Sequence, residues 1–195
     1  IAVKEADLAL KPANLSMEEA ASLPLVALTV WQALVERAEL KEGQKILIHA
    51  GSGGVGVLAI QLARYLGATV ATTASAANSD LVRSLGADVV VDYRKQDFSA
   101  MLSGYDVVLN SLDAMTLEAS LKVLKPGGKL ISISGPPDPA FARAHGLNAL
   151  LRLILRLMSA GIRRKAKRHG VDYSFLFMRA DGAELGRIAA LVEQG

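Results

Sequence analysis

The 195-residue chain contains no cysteine, which excludes disulfides and every thiolate metal site within it. Its three histidines, His49, His145 and His169, stand far apart without ligand spacing, so no metal site is expected. No apolar run reaches the ~18 residues that a membrane span needs, although 51% of the residues are hydrophobic. The chain therefore reads as globular, and its length suits one well-buried domain. The lack of cysteine fits a reducing compartment, and a cytoplasmic location is the expectation. No initiator Met and no basic-then-apolar signal segment opens the sequence. At the other end Leu185, Ile188, Ala189 and Val192 continue a helical pattern straight to Gly195. A piece of a longer protein is the expectation.

Acidic residues are missing from one stretch. The chain has 22 basic and 19 acidic residues, yet positions 141–170 hold Arg143, Arg152, Arg156, Arg163, Arg164, Lys165, Lys167 and Arg168 and no acid. The remainder carries 14 basic against 19 acidic residues. Within the basic stretch Leu147, Leu150, Leu151, Ile154, Leu155 and Met158 fall on one helical face. Such a helix invites a membrane or nucleic-acid reading. The favoured expectation is an insertion whose apolar stripe packs on the domain or on a second subunit, giving a homodimer. Neither a membrane nor a nucleic-acid partner is expected: the stripe spans about three turns without an interfacial Trp or Phe, and no aromatics alternate with the cations.

What is present is a regular alternation. Ser16-Met17-Glu18-Glu19 has the form of a capping box, and Pro24 suits the opening of a second helix that ends near Glu42-Gly43. From Lys45 onward strands and helices alternate. Strands are predicted at Ile46–Ile48, Thr69–Thr73, Asp88–Asp92, Asp106–Asn110, Lys129–Ser134 and Tyr173–Met178. Helices are predicted at Val55–Leu66, Ser79–Leu85 (capped by Ser79), Met115–Leu124, from Leu147, and after Asp181. Runs such as Val89-Val90-Val91 imply strands buried on both faces, hence a parallel sheet between helices.

Between the first strand and its helix stands Gly51-Ser52-Gly53-Gly54-Val55-Gly56, a G-x-G-x-x-G in the context that gives the pattern meaning. The first glycine allows a tight turn, the second lets amides approach a pyrophosphate, and the third brings helix and strand together. The helix start supplies unpaired N–H groups to the phosphates. The fold class is thus α/β, a Rossmann-type doubly wound parallel sheet with helices on both faces. An NAD-binding domain usually ends its second strand with an acid that holds the ribose 2′-hydroxyl. Here that segment reads Thr72-Thr73-Ala74-Ser75, which favours NADPH, although no Arg or Lys partner for the 2′-phosphate stands beside the neutral Asn78.

Ala50–Gly56, Gln61-Leu62-Ala63, Gly67-Ala68, Leu85-Gly86-Ala87-Asp88, Asp92-Tyr93 and Leu124–Lys129 together resemble the zinc-independent quinone oxidoreductases of the medium-chain dehydrogenase/reductase superfamily. The resemblance implies a cofactor domain with strand order 3-2-1-4-5-6, inserted in a barrel-like catalytic domain. It makes residues 1–43 a helical lead-in from that domain, and 44–195 the dinucleotide-binding domain with a basic excursion at about 141–170. It implies that Ser52, Gly53, Gly54 and Val55 meet the pyrophosphate, that Ser75 and Asn78 lie toward the 2′-phosphate, and that Tyr93 lies near the adenosine. Asn110, Ser111, Ile133 and Ser134 would lie toward the nicotinamide ribose, with Thr29, Leu176 and Met178 near the nicotinamide. No catalytic residue is expected in this segment. Where relatives carry Asp-x-x-Gly-Gly, this chain has Asn110-Ser111-Leu112-Asp113-Ala114. Where zinc-dependent cousins carry a cysteine ligand, it has Leu25. The function implied is hydride transfer from NADPH to a quinone or an α,β-unsaturated carbonyl; the alternative is a non-catalytic dinucleotide-binding module that docks on a membrane or protein through its basic helix. His49, Trp31, Asp92 and Asp106 read as packing, turn or strand-end residues.

Overall fold

The computed structural model describes residues 2–194; Gly195, the end of the expected helical run, lies outside the described residues. Six strands, β1 (Lys45–Ile48), β2 (Thr69–Ala74), β3 (Val89–Asp92), β4 (Tyr105–Asn110), β5 (Leu124–Ser132) and β6 (Asp172–Phe175), form one parallel sheet in the order β3-β2-β1-β4-β5-β6. The helices are α1 (Met17–Ala21), α2 (Leu23–Trp31), α3 (Gly54–Tyr65), α4 (Ser79–Ser84), α5 (Phe98–Met101), α6 (Ala114–Ser120), α7 (Pro139–Ala144), α8 (Ala149–Met158), α9 (Ala160–Arg168) and α10 (Gly182–Gln194). A π-helical stretch, Gln32–Arg37, continues α2. Among the described residues no helix is long and apolar enough to cross a membrane.

The period of two along each strand builds two cores. Ile46, Ile48, Val70, Val107, Leu109 and Ile131 point to one face, where Leu34, Ala59, Ile60, Ala63 and Val82 cover them. Leu47, Ala71, Val108 and Leu130 point to the other, under Leu117 and Leu121 of the α6 region and Ile162 and Ala166 of α9. Val30, Ala33, Leu34, Ala38 and Leu40, all within the expected lead-in, are built into the first cluster. α10 completes that side through Ile188, packed with Ala27 and Leu28 of α2.

Local signals set most of the boundaries. The Ser16–Glu19 capping box is fully formed, and Pro24 lies in the first turn of α2. Several boundaries differ from expectation; β5, for one, runs from Leu124 to Ser132 and not from Lys129 to Ser134. The helix after Pro24 stops at Arg37, because residues 38–43 turn through left-handed Glu39 and Gly43 (φ 51° and 79°). Ser79 lies inside α4 and caps nothing; Asn78 precedes it. α6 ends at Ser120, since Leu121, Val123 and Leu124 turn their side chains into the second core. β6 ends at Phe175, two residues after Tyr173, and Phe175 N–H donates to the buried Asp138 carboxylate (3.1 Å).

A polar node ties the end of β6 to the α2 extension. Gln32, fully buried, donates to the Arg179 carbonyl (3.0 Å) and to Glu184 Oε2 (2.8 Å), while its own Oε1 accepts the Arg179 N–H (3.1 Å). Arg179 grips Glu36 through both guanidinium nitrogens at 2.8 and 2.7 Å, which holds the Glu36 carboxyl down to about 2. Removing Gln32 strands three polar groups, one of them the buried Glu184 carboxylate. Gln32→Leu should cost about 1–3 kcal/mol, read as a lower unfolding midpoint with the far-UV spectrum unchanged.

Candidate functional site

The chain leaves β1 toward the α3 face and leaves β4 toward the α6 face, so a crevice opens between these neighbouring strands at their C-terminal ends. In open α/β sheets ligands bind at such a switch point. The glycine loop forms its floor.

Ala50 takes a left-handed backbone (φ 53°), which is unusual for a residue with a Cβ. Its amide donates to Thr73 Oγ1 (3.0 Å), its carbonyl accepts the Gly53 N–H (2.9 Å), and the Gly51 N–H donates to the Thr73 carbonyl (2.9 Å). A Cβ on Gly51 would overlap the Thr72 hydroxyl, and one on Gly56 would overlap the Ala50 carbonyl. These two glycines serve packing. Gly53 and Gly54 instead face solvent, and a Cβ on Gly54 would meet nothing nearer than Val26 Cγ2 at 3.9 Å. α3 starts at Gly54 with Gly53 as a cap that has no side chain to offer. The first amides of the helix are therefore unpaired and point into the crevice, an arrangement suited to a phosphate.

Behind the loop a hydrogen-bond chain fixes its own proton positions. Ser120 Oγ donates to the Thr116 carbonyl (2.7 Å), so it accepts from His49 Nε2 (2.9 Å). His49 Nδ1 then accepts from Thr73 Oγ1 (3.3 Å), which in turn accepts the Ala50 N–H. Burial pushes the His49 pKa down to about 4. The ring is neutral and structural, edge-on to Phe98 at 4.7 Å.

The residues singled out from sequence fall around this crevice as follows. Ser52 lies on the loop, and its hydroxyl accepts from Asn78 Nδ2 (3.0 Å), which ties the loop to the segment after β2. Ser75 is half-buried at the start of that segment, its hydroxyl making no cap bond. Tyr93 is exposed beyond β3, with the Arg94 guanidinium 5.7 Å from its ring centre. Asn110 ends β4 fully buried: its Oδ1 accepts from the Ser132 hydroxyl (3.2 Å), the Ser134 hydroxyl donates to the Leu112 carbonyl (2.6 Å), and Nδ2 has no partner. Among the described residues it is the one buried side-chain atom left unsatisfied. Ser111 donates to the His49 carbonyl (3.4 Å), and Ile133 N–H donates to the Asn110 carbonyl (3.0 Å). Val55 is half-buried against the core. Thr29 spends its hydroxyl proton on the Leu25 carbonyl (2.7 Å). Leu176 has its side chain in the first core, and Met178 is half-buried against the cluster of Ala27, Leu28 and Ile188.

Arg94 is not among the residues singled out from sequence. β2 pairs with β3 so that Ala74 lies opposite Asp92, which brings Tyr93-Arg94 to the same sheet end as Ser75. Arg94 follows the Asp92-Tyr93 pair directly, but it comes nearly 20 residues after the segment where a cofactor-selecting residue is usually sought.

The chain matches the zinc-binding dehydrogenase family over residues 85–195. It is 44% identical over 140 residues to an NADPH-dependent alkenal/one oxidoreductase, chloroplastic, of Arabidopsis thaliana, covering 71% of this chain and 36% of that protein. Among solved structures it superposes on the quinone oxidoreductase from Coxiella burnetii with a TM-score of 0.77 and 32% identity, over 94% of this chain and 51% of that one. An NAD-dependent alcohol dehydrogenase superposes with a TM-score of 0.77 and 30% identity, over 99% and 53%. The chain thus spans a third to about half the length of these relatives. Zinc does not fit the residues here. The chain has no Cys, the neutral ring of His49 is spent on Thr73 and Ser120, and no three His, Asp or Glu group together among the described residues.

Because the folded state resists protonating His49, stability should be full above pH 6.5 and fall as the pH drops from 6.5 toward 4. The loss expected from this one group is about 3 kcal/mol. His49→Gln cannot take up the proton, so a pH series of denaturant unfolding should show a shallower acid slope in that variant.

Proposed function

Because this chain belongs to the zinc-binding dehydrogenase family, on the quinone-oxidoreductase-like side of the medium-chain dehydrogenase/reductase superfamily, we propose that it is the cofactor domain of an NADPH-dependent reductase. The acceptor class is a quinone or an α,β-unsaturated carbonyl. One observation carries the reading most: an uncapped helix start floored by exposed Gly53 and Gly54, at the switch point of a doubly wound sheet. The relatives' names are those of oxidoreductases, which supports an enzyme over a non-catalytic module.

On this reading the amides of Gly54 and Val55 bind the pyrophosphate, with Ser52 held in place by Asn78. Asn110 Nδ2 takes a cofactor oxygen as its missing acceptor. Ser75 and Arg94 hold the 2′-phosphate, and Tyr93 covers the adenosine. Bound nicotinamide supplies the hydride; the residues of this chain bind and orient it. The groups that position the acceptor belong to a catalytic domain that enters at residues 1–43, with 44–195 as the cofactor domain. A cytoplasmic site of action is part of the same proposal.

Gly54→Asp places a carboxylate where the pyrophosphate would lie, in a position with room for it. NADPH affinity should fall more than a hundredfold while the unfolding midpoint holds. Unchanged affinity in the folded variant contradicts the cradle. Wild type should bind NADPH more tightly than NADH. Arg94→Ala should cut that preference about tenfold, roughly one charge-assisted hydrogen bond, and Ser75→Asp should abolish it. Equal affinity of wild type for both dinucleotides contradicts the choice of NADPH but leaves the cradle standing.

A further inference from the structure

The basic excursion does not fold its apolar side inward. α9 packs Ile162 and Ala166 into the second core, but α8 buries no residue. Leu150, Leu153, Ile154 and Leu157 recur at helical spacing along α8 and are 66%, 51%, 42% and 66% exposed, with Met158 at 59%. This is an apolar stripe turned toward solvent, fixed at its start by Asn148, whose side chain accepts the Leu151 N–H (2.9 Å). Its setting is wholly cationic. Of the eight basic residues in 141–170 only Lys165 forms an ion pair among the described residues, with Glu118 at 2.6 Å. Arg152 and Arg156 are exposed on the other side of α8, and Arg163 and Arg164 are exposed on the helix that follows it.

We propose that α8 and α9 form a docking arm for an anionic lipid bilayer, with the leucine face entering the interface and the arginines meeting the headgroups. Charge selects this occupant. A second copy would bring arginine against arginine with no acid on either arm. An interfacial helix needs no partner surface; it sinks its apolar side about 5–10 Å into the lipid while basic residues hold anionic headgroups.

The test is flotation of the protein, as its gene encodes it, with vesicles of phosphatidylcholine alone or with about one third phosphatidylglycerol. Partition onto the anionic vesicles is expected to exceed that onto neutral ones at least tenfold, and to fall severalfold at ~1 M salt, where screening acts within ~3 Å. Leu153→Glu with Leu157→Glu, and separately Arg163→Glu with Arg164→Glu, should each lower partition at least tenfold. Neither pair should move the unfolding midpoint or NADPH affinity, because these side chains lie outside both cores and the crevice. The proposal is overturned by absence of binding to anionic vesicles, or by equal binding to neutral ones. It is also overturned by a lipid-free dimer that the leucine pair dissociates.

Discussion

The crevice depends on how closely the glycine loop lies against β2. Gly51 touches the Thr72 hydroxyl and Gly56 touches the Ala50 carbonyl so tightly that neither site admits a Cβ. That contact fixes where α3 begins and therefore where its unpaired amides point. To turn so sharply the chain passes through a left-handed Ala50, a conformation that costs an L-residue about 1–2 kcal/mol. Thr73 offsets the cost by taking the Ala50 amide on its hydroxyl and the Gly51 amide on its carbonyl. His49 and Ser120 orient that hydroxyl from beneath. The residue after β1, one of β2 and one of α6 thus hold one turn, and the turn holds the helix start.

The same rigidity passes outward through packing. α3 lies against α2, α2 against α10, and the segment leading into α10 is pinned by Gln32 and Arg179. The aliphatic contacts of this layer are interchangeable in kind. The Gln32 node is not, since its buried amide answers both the donor and the acceptor of one backbone residue, and Glu184 depends on it. α2 therefore cannot slide along α10 without breaking three hydrogen bonds, which keeps Val26 over the glycine floor.

What was legible in the sequence was local. The glycine spacing, the capping box, the apolar strand runs and Pro24 act within a few residues, and each reappears as an element of the sheet or its helices. The relay Ser120–His49–Thr73–Ala50 joins residues up to 71 positions apart, and no spacing rule announces it. Helix ends failed where burial overrode propensity: Leu121, Val123 and Leu124 read as more helix, but the second core takes Leu121 and Val123 in a turn and Leu124 at the start of β5. The excursion was legible as amphipathic, yet periodicity gives a stripe and not its direction. Leu155 and Leu147 are half-buried while Leu153 and Leu157, absent from the expected stripe, face out.

Cofactor choice shows why register matters more than a single position. A search for an acid or base at the end of β2 finds only Ala74 and Ser75. Parallel pairing sets Asp92 opposite Ala74, one strand spacing of about 4.8 Å away, so an acid does stand beside the proposed 2′-phosphate pocket. It is committed elsewhere: Asp92 Oδ1 accepts the Arg94 N–H at 3.1 Å, which bends the carboxylate back onto its own turn. The same bend carries the Arg94 side chain over Tyr93. A carboxylate engaged by backbone and followed by a free guanidinium presents positive charge outward, the sign a 2′-phosphate requires. On the proposed reading, preference for NADPH is then a property of the β2 and β3 ends taken together: β2 supplies small residues that leave room, and β3 supplies the charge.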